Sequence, residues 1–409
     1  MRAVSEFGNE VRRLLAERGM SLHQAAKVTH YDVSYLSKVV NGHKPGSRDL
    51  AEVLDRALGA DGALAAMAPD KPSRIAAGDD ETDAWELARL AEASDVGAAT
   101  LERIEQAVDD LAVAYHGTPP AELLSRVRLH LGYVTRLLDV RKTLAEHRRL
   151  LVAGGWLSLL AATCAIDLND WDAASARLRT AAQLASETGH AEMAAWCLET
   201  RAWQVLTVGD YPAAAELARD AQRVAPHGSS AHIQATAQEG RAYARLGDAG
   251  RAVAYTALSR VEALVAPLSM PDRAEHHYRY DPAKSEAYTA TTLSWLGDPA
   301  GERVARSVLA RLESSASGPP RPRRAASARI DLSLALLGTG KPDEASDVAI
   351  QAITSGRLVP SNYWRAQEVV EAVEAARPGE AAALREAYRE FCVVGGRAVR
   401  PEITGPGAE

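Results

Sequence analysis

Polar side chains near the N-terminus form the clearest candidate binding surface in the sequence. Val33, Ser34, Ser37, Lys38 and Asn41 fall on one face of this segment when it is read as a helix. Hydroxyl, amide and amine groups on a small, weakly basic helix face can hydrogen-bond to base edges and phosphate oxygens in the DNA major groove. We therefore interpret this face as a surface that contacts nucleic acid.

The residues around this face predict two short helices joined by a tight turn. Ser21 and Gln24 have the spacing of a capping box at the start of the first helix, and Asp32 can cap the second. The second helix also has an apolar stripe at three- to four-residue spacing, made of Tyr35, Leu36, Val39 and Val40. The apolar stripe would face a core and leave the polar face in solvent.

Further apolar stripes predict a bundle of four or five short helices over residues 1–67. The first helix has Phe7, Val11, Leu14 and Leu15. Ser47 caps a fourth helix with apolar positions at Leu50, Val53, Leu54, Ala57 and Leu58. Residues 64–67 form a last apolar turn. Together these elements predict a compact domain with a small core.

This region resembles the Cro/repressor-type (XRE-family) helix-turn-helix. The resemblance covers residues 5–67 and rests on the pattern SLxxxAxxxxxxxSYLSxVxNG followed by SxxLAxxLDxALGADGxL. It departs from the family at His30, where Gly is usual, and at Val40, where Glu is frequent. The resemblance implies a lambda-repressor-like bundle that binds double-stranded DNA.

The resemblance also assigns roles to individual side chains. It places Val33, Ser34 and Lys38 at base edges. It places a second group near the phosphates: Gln24, Lys27, Tyr35, Ser37, Asn41, Lys44 and Arg48. Because few of these side chains are basic, one copy would bind weakly. We therefore expect a homodimer on a palindromic operator.

Composition limits the class of the whole chain. Only 5% of the 409 residues are aromatic and strand-forming runs are scarce, which predicts an almost all-α protein. The net charge of −7 argues against a protein coated in nucleic acid, although residues 1–66 carry about +1 and the remainder about −8. Cys164, Cys197 and Cys392 are scattered, as expected of reduced core thiols in a cytoplasmic protein. With no run of 18 apolar residues, we expect no membrane association.

The chain after the bundle divides by composition and periodicity. Residues 68–83 are rich in Pro, Gly and Asp and predict a linker. Residues 84–149 predict a helical connecting region, 150–397 a repeat domain, and 398–409 a disordered tail. The repeat domain contains five related turn motifs at separations of roughly 38 to 49 residues, LNDWDAA, VGDYPAAA, LGDAGRA, LGDPAGE and GTGKPDEA.

These repeats resemble tetratricopeptide repeats. In the clearest copy, Gly209-Asp210-Tyr211 makes the turn, and small residues stand where paired helices touch. The small pairs are Ala174 and Ala181, Ala214 and Ala221, and Ala345 and Ala352. The resemblance implies a curved α-solenoid with a concave side, because no single repeat buries its apolar face alone.

The concave side is a second candidate binding surface. Trp196, Glu199 and Trp203 recur at i, i+3 and i+7 on the expected inner stripe. We assign five more residues to this groove from neighbouring repeats and from the interrupting segment 270–282, namely Trp156, Arg241, Arg245, His277 and Tyr280. Aromatic walls with a few charges suit a small molecule, a peptide or a partner protein. Core packing of the tryptophans is the alternative interpretation.

The functional hypothesis follows from these two surfaces. The sequence has no nucleophile elbow, P-loop, GxGxxG or HExxH motif, so we expect no enzyme, no cofactor and no metal site. We expect a DNA-binding transcriptional regulator whose repeat domain senses an effector and mediates dimerisation. The alternative is an interaction scaffold in which the helix-turn-helix only tethers or docks.

Overall fold

The computed structural model of the protein consists of two compact units, residues 1–91 and 92–409. It describes residues 6–44, 46–68, 85, 87–89, 92–269, 275–314, 321–377, 379 and 381–394. Within those ranges the secondary structure is helical with no strand, which confirms the expected all-α fold. Almost all of the linker predicted at 68–83 and the whole tail predicted at 398–409 lie outside the described residues.

The N-terminal unit contains five short helices around one apolar core. They are α1 (Glu6–Glu17), α2 (Leu22–Thr29), α3 (Val33–Val40), α4 (Arg48–Leu58) and α5 (Ala63–Met67). The predicted stripes supply the core, whose most deeply buried side chains include Val11, Leu36, Val39, Leu50, Leu54, Leu58 and Leu64. Tyr35 is only half-buried and stacks on Tyr31, with 5.8 Å between ring centroids.

The turn between α2 and α3 has the predicted caps. The backbone N–H of Gln24 donates to Ser21 Oγ at 3.3 Å, and the N–H of Ser21 donates to Gln24 Oε1 at 2.7 Å. Asp32 Oδ1 accepts from the N–H groups of Ser34 and Tyr35 at 2.9 and 3.1 Å. His30 adopts the left-handed conformation, with φ of 57°, that Gly usually supplies at this position. These local bonds fix how α3 leaves the turn.

The C-terminal unit is a series of packed helices. They are α6 (Ala98–Ala114), α7 (Pro120–Leu138), α8 (Leu144–Asp167), α9 (Trp171–Thr188), α10 (Ala191–Thr207), α11 (Tyr211–Val224), α12 (Ser230–Ala244), α13 (Asp248–Val265), α14 (Pro282–Trp295), α15 (Ala300–Glu313), α16 (Pro322–Gly338), α17 (Pro342–Thr354), a 3-10 turn (Pro360–Asn362), α18 (Tyr363–Ala376) and α19 (Ala381–Val394). From α8 to α17 they form five helix pairs, each joined by one of the five turn motifs.

The five turn motifs share a residue of positive φ between the two helices of each pair. Gly209 has a φ of 91°, a conformation that a side chain would strain, and it is followed by Asp210. Asp210 caps α11 by accepting from the N–H of Ala213 at 3.1 Å. The corresponding positive-φ residues in the other pairs are Asn169, Gly247, Gly297 and Gly340. The recurring Gly/Asn position therefore reflects the backbone geometry of the turn, whereas no side chain caps α13 or α17, the second helices of the third and fifth motifs.

Small residues let the paired helices approach closely. The six predicted alanines are fully buried, Ala174, Ala181, Ala214, Ala221, Ala345 and Ala352. Helix α8 is long and apolar enough to cross a membrane, but 83% of its apolar window is buried inside the protein, as in a core helix. All three cysteines, Cys164, Cys197 and Cys392, are free and buried.

We expect Gly250→Ala to destabilise the contact between α12 and α13. A Cβ at Gly250 would lie 2.1 Å from the carbonyl oxygen of Tyr243, so the two helices must separate. The expected cost is about 1–3 kcal/mol in the free energy of unfolding, measured by urea titration of tryptophan fluorescence. Gly154→Ala is the matched control, because its Cβ would meet Val134 and Leu184 at 3.5 and 3.6 Å, ordinary contact distances. Equal midpoints for the two variants would show that the Gly250 contact is not tight.

Candidate functional site

The candidate DNA-contact residues lie on the solvent side of α3. Ser34, Lys38 and Asn41 are exposed, and Val33 and Ser37 are half-exposed. The opposite side of the same helix is buried in the core. The amide of Asn41 donates to Ser37 Oγ at 3.2 Å, which orders the end of the polar face. The structure thus leaves the whole polar face of α3 accessible to a ligand within this unit.

The other predicted phosphate-contact residues flank α3 in the chain. Gln24 and Lys27 are exposed on α2. Lys44 is exposed after α3 and its Nζ lies 5.7 Å from the ring centroid of Tyr35, a cation–π distance. Arg48 opens α4 and pairs with Glu52 at 3.3 Å. Each of these side chains reaches the surface, although Arg48 already has an acidic neighbour.

The C-terminal unit contains a second candidate site, a half-open pocket that we call the inner cavity. Its volume is about 210 Å³. Four helices that open successive repeats, α10, α12, α14 and α16, supply most of its lining. Each contributes residues at i, i+4 and i+7: Trp196, Thr200 and Trp203; Gln234, Gln238 and Arg241; Lys284, Tyr288 and Thr291; and Arg324, Ala328 and Asp331.

Five of the eight residues predicted for the groove line the inner cavity, namely Trp196, Glu199, Trp203, Arg241 and His277. The other three predictions, Trp156, Arg245 and Tyr280, are not among its lining residues. The i, i+4, i+7 stripe that recurs on the four helices is a signal in the sequence from which Gln234, Gln238, Lys284 and Tyr288 could also have been predicted.

The three residues outside the lining are held by other contacts. Trp156 packs on Tyr278, with 4.9 Å between ring centroids. Arg245 lies one turn beyond Arg241, pairs with Glu368 and stacks over Tyr211 at 5.2 Å. Tyr280 is buried in a separate apolar cluster. These contacts give the three side chains packing and ion-pair roles, and their predicted place in the groove stays a prediction.

Residues 275–281, which we call the insert loop, pack against α6. His276 Nε2 donates to Asp109 Oδ1 at 3.2 Å, and burial lowers the pKa of His276 to about 4. The backbone N–H of His277 donates to the carbonyl of Ala112 at 3.1 Å, and the His277 ring lies 4.2 Å from that of Tyr115. The loop thereby brings His277 to the cavity wall. Residues 270–274 of the predicted interrupting segment lie outside the described residues.

Lys284 anchors the insert loop by hydrogen bonds to its backbone. Its ammonium donates to the carbonyl oxygens of His276 and His277 at 3.1 and 3.3 Å. Burial, with Arg324 as a nearby like charge, lowers the pKa of Lys284 to about 8. The three donors of this ammonium are thus directed mainly to the backbone, so Lys284 positions the loop.

A buried carboxyl lies on the α10 side of the inner cavity. Glu199 Oε1 accepts from Gln234 Nε2 at 3.0 Å, and the same amide nitrogen donates to the Tyr288 hydroxyl at 2.7 Å. Burial raises the pKa of Glu199 to about 7, against the opposing influence of Gln234 and Arg241. Glu199 therefore changes charge near neutral pH.

Arg241 is the main cation on the α12 side. Its Nη1 donates to Gln238 Oε1 at 3.0 Å, and its guanidinium lies over Tyr288 and Trp295 at 5.4 and 5.1 Å. Burial lowers the pKa of Arg241. In the described ranges, Arg241 Nε and Gln238 Nε2 are buried atoms without a hydrogen-bond partner. These two groups are therefore unsatisfied donors on residues of the cavity wall.

A group of four residues, which we call the closure cluster, joins distant parts of the C-terminal unit. Arg323 pairs with Asp167, and its Nη2 donates to the Tyr115 hydroxyl at 3.0 Å. That hydroxyl donates to Asp167 Oδ2 at 2.8 Å, and Ser361 donates to Asp167 Oδ1 at 3.2 Å. Since Asp167 ends α8 and Arg323 belongs to α16, the cluster fixes the cavity wall across 156 residues.

Comparison with known families identifies a domain in the N-terminal part of the chain. The family model of the helix-turn-helix domain matches residues 6–67. The N-terminal unit therefore contains a helix-turn-helix domain, the class of module that presents a helix to duplex DNA. No curated protein and no solved structure matches the chain. The C-terminal unit is a stack of helix pairs.

Proposed function

We propose that this chain is a sequence-specific DNA-binding transcriptional regulator. The observation that supports it best is the two-sided character of α3, which buries Leu36 and Val39 and exposes Ser34 and Lys38. In this proposal α3 lies in the major groove and its outer residues contact base edges. The caps at Asp32 hold the N-terminal turn of α3, the part of a recognition helix that approaches the bases.

The proposal includes a homodimer. Lys27, Lys38 and Lys44 are exposed basic side chains of the N-terminal unit near α3. Because each neutralised phosphate adds only a modest, salt-dependent increment, two copies on a palindromic operator are needed for tight binding. We place the protein in the cytoplasm, associated with the nucleoid, and assign it no catalytic step.

The proposal also makes the C-terminal unit an effector sensor of tetratricopeptide type. An effector that binds one arrangement of the helix pairs better than another shifts the equilibrium between them, and operator affinity changes if the two arrangements space the DNA-binding units differently. The cavity volume of about 210 Å³ favours a small molecule over a partner protein or a long peptide. This size is the reason to prefer a sensor to an interaction scaffold.

The test begins with selection of duplexes from a random DNA pool by the full-length protein. We expect an enriched two-fold symmetric sequence, bound at least about a thousandfold more tightly than random DNA at physiological salt. Fluorescence anisotropy with the enriched duplex gives Kd and its salt dependence. Failure to enrich any sequence would refute sequence-specific recognition.

We expect Lys38→Ala to weaken operator binding by about 5- to 150-fold, which corresponds to roughly 1–3 kcal/mol for one good contact. Lys38 is exposed on α3, so its removal should leave the fold intact. Arg13→Ala is the matched control, because Arg13 is an exposed cation on α1 that pairs with Glu10 and Glu17. Anisotropy titrations compare the three proteins. Equal losses in both variants would argue that α3 is not the contact surface.

A further inference from the structure

The lining of the inner cavity has more cations than anions. The cations are Arg241, Lys284, Arg323, Arg324 and Arg365, and the anions are Asp167, Glu199 and Asp331. Ion pairs join Arg323 to Asp167, Arg365 to Asp331, and Arg324 to Glu275. The guanidinium of Arg241 has no carboxylate within 4.0 Å in the part of the chain that the structure describes. Lys284 has no such pair either, but its ammonium is directed to backbone carbonyls.

Arg241 and Gln238 are hydrogen-bonded to each other, and each has one further donor atom without a partner. Gln238 is fully buried, and its oxygen accepts from Arg241 at 3.0 Å. Its Nε2 has no partner among the described residues, and neither has Arg241 Nε. Leaving buried donors unpaired beside a half-buried cation that has no carboxylate is costly, so their presence side by side indicates a site built for an acceptor that carries negative charge. A carboxylate or similar oxyanion offers two oxygens to such a pair.

Three aromatic side chains of the lining suit a flat apolar ring. The indole rings of Trp196 and Trp203 and the phenol ring of Tyr288 line the same cavity. A dry cavity of about 150 Å³ holds benzene. The inner cavity, at about 210 Å³, is somewhat larger. It therefore fits one ring with a short substituent.

We propose that the inner cavity binds a small organic acid, with one planar apolar ring and about eight to ten non-hydrogen atoms in all, whose anionic group is held by Arg241 and Gln238. The inference rests on the proposed function, because it names the chemical class of the effector. Trp196, Trp203 and Tyr288 hold the ring. The anionic group of the ligand is the negatively charged partner that Arg241 lacks.

The first experiment compares acids with their neutral amides. The probes are phenylacetate and benzoate, each against its amide, titrated into the full-length protein by calorimetry and ligand-observed NMR up to about 10 mM, a range in which millimolar affinity is measurable. We expect at least one acid to bind saturably and at least about tenfold more tightly than its amide, as expected for a charge-assisted contact. Absence of saturable binding by either acid, or equal binding of acid and amide, would overturn the proposal.

The second experiment uses variants of Arg241. Arg241→Met removes the cation but keeps a flexible apolar side chain on Tyr288 and Trp295, and we expect the affinity for the acid to fall at least about tenfold. Arg241→Lys keeps the charge without the planar fork and should be intermediate. Arg223→Gln is the control, since its side chain is 74% exposed on α11. Acid binding by Arg241→Met at the parent affinity would overturn the proposal.

Two further readouts separate loss of binding from loss of fold. The ligand-free Arg241→Met protein should still melt in one cooperative transition, because removal of a cation without a carboxylate partly offsets the loss of its hydrogen bond to Gln238. Operator binding without probe, measured on the same preparations, tests the proposed function separately. DNA binding without acid binding would refute only the effector class, whereas acid binding without an enriched duplex would refute only the DNA-binding regulator.

Discussion

Asp167→Ala is expected to lower the free energy of unfolding of the C-terminal unit by about 3–5 kcal/mol. Asp167 is 1% exposed and accepts from Arg323, Tyr115 and Ser361. Its removal leaves the Arg323 guanidinium, which also lies 4.5 Å from the Tyr115 ring, in the protein interior without its carboxylate. The cost is mainly that of the unpaired buried charge, so it exceeds the net worth of the original ion pair.

Urea titrations followed by tryptophan fluorescence measure this effect, because six of the seven tryptophans belong to the C-terminal unit. Asp248→Ala is the control: the Asp248 side chain is 95% exposed and its pair with Arg251 is a surface pair, worth at most about 1 kcal/mol. The double variant Asp167→Leu/Arg323→Met removes both charges and should recover much of the loss. A loss below about 1 kcal/mol for Asp167→Ala would mean that water reaches the closure cluster and solvates Arg323.

The closure cluster is a contact between distant residues that sequence patterns do not predict. Tyr115, Asp167 and Arg323 come from three helices or helix ends whose pairing depends on the curvature of the whole stack. No local period in the sequence relates these three residues. Ion pairs of this kind are decided by tertiary packing, so only the structure could reveal them.

Local features, in contrast, were predictable. The capping box of Ser21 and Gln24 and the cap at Asp32 are decided within three residues, and both form as predicted. Gly209 and Asp210 specify a turn by backbone conformation and one side-chain bond. The same reasoning located all five turns between paired helices, because each has a Gly or Asn of positive φ between the two helices.

The residues of the groove could be predicted from the sequence only in part. Trp196, Glu199 and Trp203 were found because one helix face repeats every three to four residues. Trp156 and Arg245 have a similar local pattern, yet Tyr278 packs on the first and Glu368 pairs with the second. Which side chain faces the cavity therefore depends on the insert loop and on α18, elements that lie outside the repeat pattern.

Burial at the inner cavity has an electrostatic consequence for Glu199. Burial raises the pKa of Glu199 from its ordinary value of 4.5 to about 7, although Arg241 and Lys284 favour the charged form. Between these two pH values the folded protein retains a proton that the unfolded chain has released. The corresponding stability is fully present below about pH 4.5 and is lost as the pH rises through 7, a change of about 3 kcal/mol for a shift of this size.

Glu199→Gln should therefore remove this pH dependence. The amide stays neutral at every pH and its oxygen can still accept from Gln234, which donates to Glu199 at 3.0 Å in the parent. We expect the stability of the variant relative to the parent to rise by about 3 kcal/mol between pH 4.5 and pH 8, measured by urea titrations at the two pH values.

The control for this pH effect is Glu216→Gln, which changes an exposed carboxylate on α11. Its effect should stay within about 0.5 kcal/mol at both pH values, as for most surface substitutions. A pH-independent difference between Glu199→Gln and the parent would mean that Glu199 is solvated in the native protein, and that the inner cavity is open to water on the α10 side. A rise confined to the Glu199 variant would instead identify the carboxyl as a group whose charge the inner cavity disfavours, which is the same property that leaves Arg241 in need of an anion.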